Sequence, residues 1–414
     1  MKSNFPDDDQ DNVKIDADHS VGEPVIGVAR LMRMAESKAD LSHLVNIAAY
    51  NPDDANLLMN LSMIFQLTGN REAAFEIQGK ALDRRTLFHL PAQNPPASIT
   101  LLALMRPGDM MDNTPLDFLL EQSDVDLDLL YVSAEHPLPD PPPPHDLLFV
   151  AIGEAMENQA LLKQIASRLA RWPKPVINYP DKILRLARNR ASALLSSIDG
   201  VVMPITALID RTTLLKIANG ERTTAEFLEN DRYPVIIRPL DSHAGRGLCK
   251  LDTPADLHGY LQTMQEEAFY VSRFIDYSDQ DGLFRKYRIA LAEGRPYACH
   301  MAISEQWMIH YKNAGMTESA DKRAEEAEFM TGFDTGFGHR HAAALQAIYE
   351  RIGLDYFIID CAETADGSLL VFELDNRGFV HAMDAIELFP YKPPVMKKLF
   401  DAFRSMLGRK VTKN

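Results

Sequence analysis

Two hydrophobic periods alternate along this chain and divide it into regions. From Pro24 to Ala49 apolar residues fall at helical spacing, with Val28, Leu31 and Ala35 followed by Leu41, Leu44, Val45 and Ala48. After Asn51-Pro52-Asp53-Asp54 the run Ala55–Leu82 predicts two more helices. Pro52 suits a first helical turn, and the acidic pair beside it suits the positive end of a helix dipole. Gly69 stops one helix and Asn70 caps the next, whose Ala73, Ala74, Ile77 and Ala81 share a side.

A proline-marked linker, Pro91–Ala97, then opens a region in which strands alternate with helices. Ser98–Met105, Leu127–Val132, Asp146–Ile152 and Pro175–Asn178 read as strands, and Pro115–Glu121 and Asn158–Trp172 as helices. That alternation predicts a small parallel α/β layer. The proline run at 137–145 cannot pair as a central strand and predicts a surface excursion. No GxGxxG follows the first strand, so a dinucleotide site is not indicated, and Gly108 reads as a turn.

Beyond Asp181 the pattern is one helix and then mostly strands. Ile183–Leu195 reads as a helix with Arg185, Arg188 and Arg190 on its polar sides. Tyr233–Leu240 is an apolar strand interrupted by a cation, Arg238. The turn Asp241–Gly247 follows, whose two glycines let backbone N–H groups wrap a polyphosphate or simply close a hairpin. Phe269–Ile275, Arg285–Leu291 and Arg295–Met301 are further strands. Alternation puts Lys286 and Arg288 on one face, either as an anion clamp or as partners of a cross-strand acid. Late in the chain, Tyr356–Ile359 and Leu369–Leu374 flank the turn Ala365–Ser368 and predict a hairpin. Its acids Asp360, Glu373 and Asp375 are expected to converge and to need a cation, for which hard oxygen ligands suggest Mg²⁺. A solvated acidic turn is the other reading. It suits Glu363 and Asp366 but not Glu373, which interrupts an apolar run. The last helix carries Val395, Leu399, Phe403 and Met406 on a docking face.

Composition narrows the partners. The chain has 414 residues, is 46% hydrophobic and 25% charged, and carries a formal net charge of −16, which argues against nucleic acid. No apolar run is long enough for a membrane helix. The first twenty residues, with Asp7-Asp8-Asp9, are expected to form a disordered acidic tail rather than a secretory signal. Cys249, Cys299 and Cys361 are too scattered for a zinc or redox motif, which suggests a reducing cytoplasm. His339 and His341 lack the spacing and cysteine partners of a zinc site.

Taken together, PVIIRPLDSHAGRGL, the sheet arginine Arg288 and the strand LLVFELD, in that order, resemble the ATP-grasp superfamily. The glutathione synthetase and ribosomal-protein glutamate ligase branch is the most similar. Its segments are matched by Asn178-Tyr179-Pro180, Arg188-Asn189-Arg190 and Pro204-Ile205-Thr206. The helices at 55–82 resemble one tetratricopeptide unit, which cannot bury its faces alone. The resemblance implies an α/β (α+β) fold class. A tetratricopeptide-like helical domain would cover 21–90, a pre-ATP-grasp α/β domain 97–180 and the ATP-grasp body 181–414, after the tail at 1–20.

The resemblance also implies roles for particular residues. Arg190 and Arg238 stand where the family has phosphate-binding lysines. Ser242, His243, Gly245 and Gly247 would belong to the loop over the phosphates, and Phe274 and Ile275 to the adenine strand. Arg273 replaces the acid usually found there. Arg288 would steady the transferred phosphoryl group, while Asp360, Glu373 and Asp375 would hold Mg²⁺, with Asp375 in place of the usual Asn. ATP and Mg²⁺ are the implied cofactors. A small-molecule or peptide carboxylate and an amine acceptor are the implied partners, with no nucleic acid and no membrane. A protein or peptide on the N-terminal helices and a homodimer are left open. Substrate choice is expected from His300–Met316 and from Asn376–His381, where Arg377 could bind a carboxylate and His300 is either catalytic or structural. The expected activity is ADP-forming carboxylate–amine ligation in the cytoplasm. The alternatives are a degenerate body serving a helical adaptor, or a thiol or hydroxyl acceptor.

Overall fold

The computed structural model describes residues 24–37, 41–228, 233–242, 245–310 and 314–412. The expected acidic tail over 1–20, His243, and Tyr311 and Lys312 of the substrate stretch lie outside the described residues.

Four helices come first: α1 (Val28–Glu36), α2 (Ser42–Tyr50), α3 (Ala55–Leu67) and α4 (Arg71–Leu82). Asp54, not Pro52, starts α3. Its carboxylate accepts the Asn56 and Leu57 N–H groups and so satisfies two of the helix's orphan donors. Gly69 ends α3 at φ +83°, a conformation that a side chain would resist.

The α/β layer follows, with β1 (Leu87–Leu90), β2 (Ile99–Met105), α5 (Leu116–Leu119), β3 (Val125–Tyr131), β4 (Leu147–Val150), α6 (Gln159–Leu169) and β5 (Val176–Ile177). Strand order is β1-β3-β2-β4-β5, parallel except for β1, which pairs antiparallel with β3. β2 reads ITLLALM because both its faces are covered. β1 carries His89 within a four-residue run and was not anticipated from the sequence pattern.

The chain then forms α7 (Pro180–Ile183), α8 (Arg188–Leu195), β6 (Val201–Val202), β7 (Thr206–Asp210), α9 (Arg211–Ala218), β8 (Val235–Pro239), β9 (Cys249–Leu251), α10 (Pro254–Thr263) and β10 (Ala268–Arg273). The single helix expected over 183–195 is broken. Leu184–Leu186 tightens to a 3₁₀ turn, and Ala187 takes ψ 129° before α8 restarts. The antiparallel sheet β7-β10-β8-β9 has its own core, including Ile209, Ile237 and Phe269, and forms a separate lobe.

The remainder builds β11 (Phe284–Ala292), β12 (Arg295–Ser304), α11 (Ala320–Thr331), α12 (Phe337–Arg340), α13 (Ala342–Ile352), β13 (Tyr356–Glu363), β14 (Leu369–Asp375) and α14 (Lys392–Thr412). Its sheet runs β12-β11-β13-β14-β6, with the predicted acidic hairpin as β13 and β14. The fold is thus mixed α/β with three sheets and an N-terminal helical region, the class expected.

One apolar core runs through Leu31, Leu58 and Ala81 of the helices, Leu101 and Phe149 of the first sheet, Ile289 and Ile359 of the third, and Leu399 and Phe403 of α14. The N-terminal helices are therefore docked on the body. Buried asparagines lock the first and third sheets together. Asn178 exchanges hydrogen bonds with the Tyr356 backbone at 2.8 and 3.0 Å, and Asn376 donates to the Ile152 carbonyl at 3.1 Å.

Candidate active site

Between the antiparallel lobe and the third sheet lies a cleft of about 1220 Å³. Its floor is set by strand register. On β11, Arg288 stands opposite Asp360 of β13 on one side and His300 of β12 on the other, and Asp360 stands opposite Glu373 of β14. Period-two alternation puts Lys286 beside Arg288. Arg288 grips Asp360 with two hydrogen bonds, 2.8 and 3.0 Å long, and Lys286 Nζ lies 2.7 Å from the same carboxylate. Of the two readings left open for this pair, the cross-strand acid is the one observed, and the two cations also line the cleft. Burial would raise the Asp360 pKa, but Arg288 and Lys286 hold it well below the usual carboxylate range.

From the lobe side come Arg238 of β8 and the glycine turn. Arg238 reaches forward to the Ser242 carbonyl and hydroxyl, so strand and loop are tied by one guanidinium. Burial, and then Arg188, lower its pKa to about 10, which leaves it charged near neutrality. Gly245 lines the cleft at φ +76°. Gly247 lies behind it, where a Cβ would meet the Pro239 ring at 2.7 Å. Phe274 and Ile275 follow β10 into an apolar slot with Ile236, Trp307 and Leu370, and the Phe274 and Trp307 rings meet edge to face at 5.7 Å.

Arg188 and not Arg190 completes the cationic set. The break at Ala187 makes Arg188 the first residue of α8 and aims it at Glu373 Oε1, 2.5 Å away. Arg190 is two residues on, about 200° round the helix, and donates to the Leu184 carbonyl at 3.1 Å, off the cleft. The resemblance pointed to Arg190 within Arg188-Asn189-Arg190, whereas the structure turns Arg188 into the cleft. Burial would raise the Glu373 pKa, but Arg188 and Arg238 lower it.

Asp375 accepts the Arg377 N–H at 2.8 Å and its Nε at 3.4 Å. Arg377 leaves β14 toward the first sheet, with Asp112 Oδ1 at 3.8 Å and Gly153 against its stem. His300 is half-buried in the cleft wall, and desolvation, with Arg288 adding to it, pushes its imidazole well below the ordinary value, so it is neutral near pH 7.

The expected three-acid metal cage is not assembled. Asp360 has both oxygens committed to Arg288 and Lys286, and among the described residues no group of three or more His, Cys, Asp or Glu gathers as metal ligands. Glu373 and Asp375 remain as two hard oxygen donors facing the cleft. Sequence reasoning also missed Glu154. It follows β4 and shares a recess with Arg238, Ser242 and Arg377. Burial, with Asp241 and Asp375 adding to it, pushes its carboxyl up to about 7 against the pull of Arg377. No local pattern marks Glu154, because it reaches the site only through the packing of the first sheet on the third. The three cysteines are free, and no described helix is long and apolar enough to cross a membrane.

No family model matches the chain, and no curated protein matches it. Solved structures do. The VanG D-Ala:D-Ser ligase of Enterococcus faecalis aligns at 13% identity over 76% of this chain and 99% of its own, with a TM-score of 0.47. A D-alanine–D-alanine ligase of Bacillus anthracis complexed with ATP aligns at 12% identity over 77% and 99%, also with a TM-score of 0.47. A RimK domain ATP-grasp protein of Sphaerobacter thermophilus aligns at 18% identity over 74% and 99%, with a TM-score of 0.41.

Proposed function

We propose that this chain is an ATP-grasp enzyme, an ADP-forming ligase that joins a carboxylate to an amine through an acyl phosphate. One observation carries the reading. Arg188, Arg238, Lys286, Arg288 and Arg377 line a single cleft in a chain whose net charge is −16. Five cations gathered beside Asp360, Glu373 and Asp375 suit a polyphosphate and a carboxylate together.

In this reading the base of ATP enters the slot of Phe274, Ile275 and Trp307. Arg188 and Arg238 take the phosphates, with Gly245 lining the cleft beside them. Phosphate competes with Glu373 for Arg188, which releases that carboxylate. Glu373 and Asp375 would then hold Mg²⁺, which would supply positive charge to offset that of the phosphates. Arg377 orients the substrate carboxylate, which attacks the γ-phosphorus and expels ADP. Arg288, kept charged by Asp360, steadies the transferring oxygens. The amine then attacks the acyl carbon and phosphate leaves. The departing phosphate takes the proton that the amine loses, while His300, held neutral, is placed to accept a hydrogen bond from the amine.

Calorimetric titration tests this. Mg²⁺·ATP should bind the wild type, Arg238→Ala should weaken binding at least about 30-fold, and Glu373→Gln should remove the Mg²⁺ dependence. Absence of binding to the wild type would end the proposal.

A further inference from the structure

Away from the aromatic slot, past Arg377, the cleft is walled by methionines. Met32 comes from α1, Met110 and Met111 from the 3₁₀ turn after β2, Met383 from the loop after β14, and Met396 from α14. These five methionines come from four separate parts of the chain; Met111 is 46% exposed, while Met383 and Met396 are buried behind the cleft lining. An unbranched thioether side chain repacks around ligands of different shape, so a wall of them suits an apolar group of variable outline.

The backbone beneath these side chains is pinned. Gln78 accepts the Gly108 N–H at 2.7 Å and donates back to the Gly108 carbonyl at 3.2 Å, while Gln66 accepts the Met110 N–H at 2.7 Å. Both glutamines belong to the N-terminal helices. At the other edge, Asp117 accepts the Ala29 N–H at 2.8 Å and Glu121 pairs with Arg33, which together hold α1 in place. The wall can therefore adapt by rotamer while its frame stays still.

Charge at this end selects against acids. Arg33 is committed to Glu121, and Lys392 lies 3.3 Å from Glu326 and 3.1 Å from Asp384. Glu36, at the end of α1, adds negative charge to the same lining. Among the described residues an acidic side chain would meet Glu36 and Asp384 and cations already paired, whereas an apolar one would cover exposed methionine surface.

We propose that this end of the cleft seats the apolar side chain of an amino acid or short peptide and rejects acidic ones. The N-terminal helices thus act as part of the specificity wall. The inference rests on the ligase reading for the identity of the reacting groups, not for the apolar subsite itself.

Differential scanning calorimetry of the full chain tests it, with Mg²⁺ and the β,γ-methylene analogue of ATP present or absent. Methionine, leucine and phenylalanine in both enantiomeric forms, and leucyl-leucine, are compared with glutamate and aspartate. At least one apolar compound should raise Tm by about 3 °C beyond nucleotide alone at saturating concentration, and the acidic ones should not. Met111→Glu, at an exposed position, should remove at least half of that rise and leave the nucleotide-induced rise intact. A rise with glutamate or aspartate equal to the apolar one overturns the proposal. So does a nucleotide rise with none from any apolar compound, or an apolar rise untouched in Met111→Glu. An apolar rise without any nucleotide rise removes the ligase reading and leaves the subsite standing.

Discussion

Two arginines separated by one residue make opposite predictions. Arg188 faces the cleft and holds Glu373 at 2.5 Å, with a second hydrogen bond to the Phe372 carbonyl at 3.1 Å. Arg190 holds the Leu184 carbonyl at 3.1 Å. Replacing Arg188 by alanine removes a charge-assisted contact to nucleotide phosphate, worth about 1.5–3 kcal/mol, or about 10- to 150-fold in Kd. Two further effects oppose each other. Arg238 is relieved of the neighbour that, after burial, helps lower its pKa to about 10. Glu373 loses its ion-pair partner and presents a less compensated charge to the phosphates. The second outweighs the first, because Arg238 is already charged at neutral pH and gains little. Isothermal titration with the β,γ-methylene analogue of ATP and Mg²⁺ should therefore show a loss of at least about 30-fold for Arg188→Ala. Arg188→Lys should recover part of it, since the charge returns without the planar fork. Arg190→Ala should change Kd by no more than about twofold, the scale of a remote surface charge. If Arg190→Ala loses as much as Arg188→Ala, or if Arg188→Ala binds normally, the assignment of α8 to the phosphate site is wrong.

Other consequences are open to measurement. Asp360→Asn leaves Arg288 and Lys286 without their counter-charge and should cost about 3–5 kcal/mol, read as a lower urea midpoint at unchanged m. Because the folded Asp360 pKa is depressed, its contribution is present above about pH 4 and lost as pH falls, so Asp360→Asn should lose less stability than wild type on acidification. Glu154 has the opposite sign. With its folded pKa raised to about 7, its contribution is full below about pH 4.5 and lost as pH rises through 7. Stability curves of Glu154→Gln should lack a decline of up to about 3 kcal/mol over that window, and an unchanged slope would refute the placement of Glu154. At Gly153 an alanine Cβ would lie 1.9 Å from Arg377 Cδ. Gly153→Ala should cost about 1–3 kcal/mol in wild type and under about 0.5 kcal/mol when Arg377 is also alanine, a coupling that a double-mutant cycle reads directly.

Local pattern determined much of this molecule. The acidic hairpin, the in-strand position of Arg238, the shared face of Lys286 and Arg288, and the parallel strands of the first sheet all follow from periods of two or 3.6 and from turn residues. What pattern could not decide is which charged groups meet. Asp360 looked like a metal ligand because its strand neighbour β14 carries Glu373 and Asp375. Only the antiparallel pairing of β11 with β13 puts Arg288 opposite it, with Lys286 on the same face. Arg188 and Arg190 lie about 200° apart on α8, and which of them faces the cleft depends on how α8 is set down after the extended ψ at Ala187. Glu154, Gly153 and the methionine wall come from segments far apart in sequence that one continuous core brings together. Periodicity reports the environment of each residue relative to its own strand or helix. Ion pairs and clefts depend on contacts between elements, whose register and packing are set by the whole core.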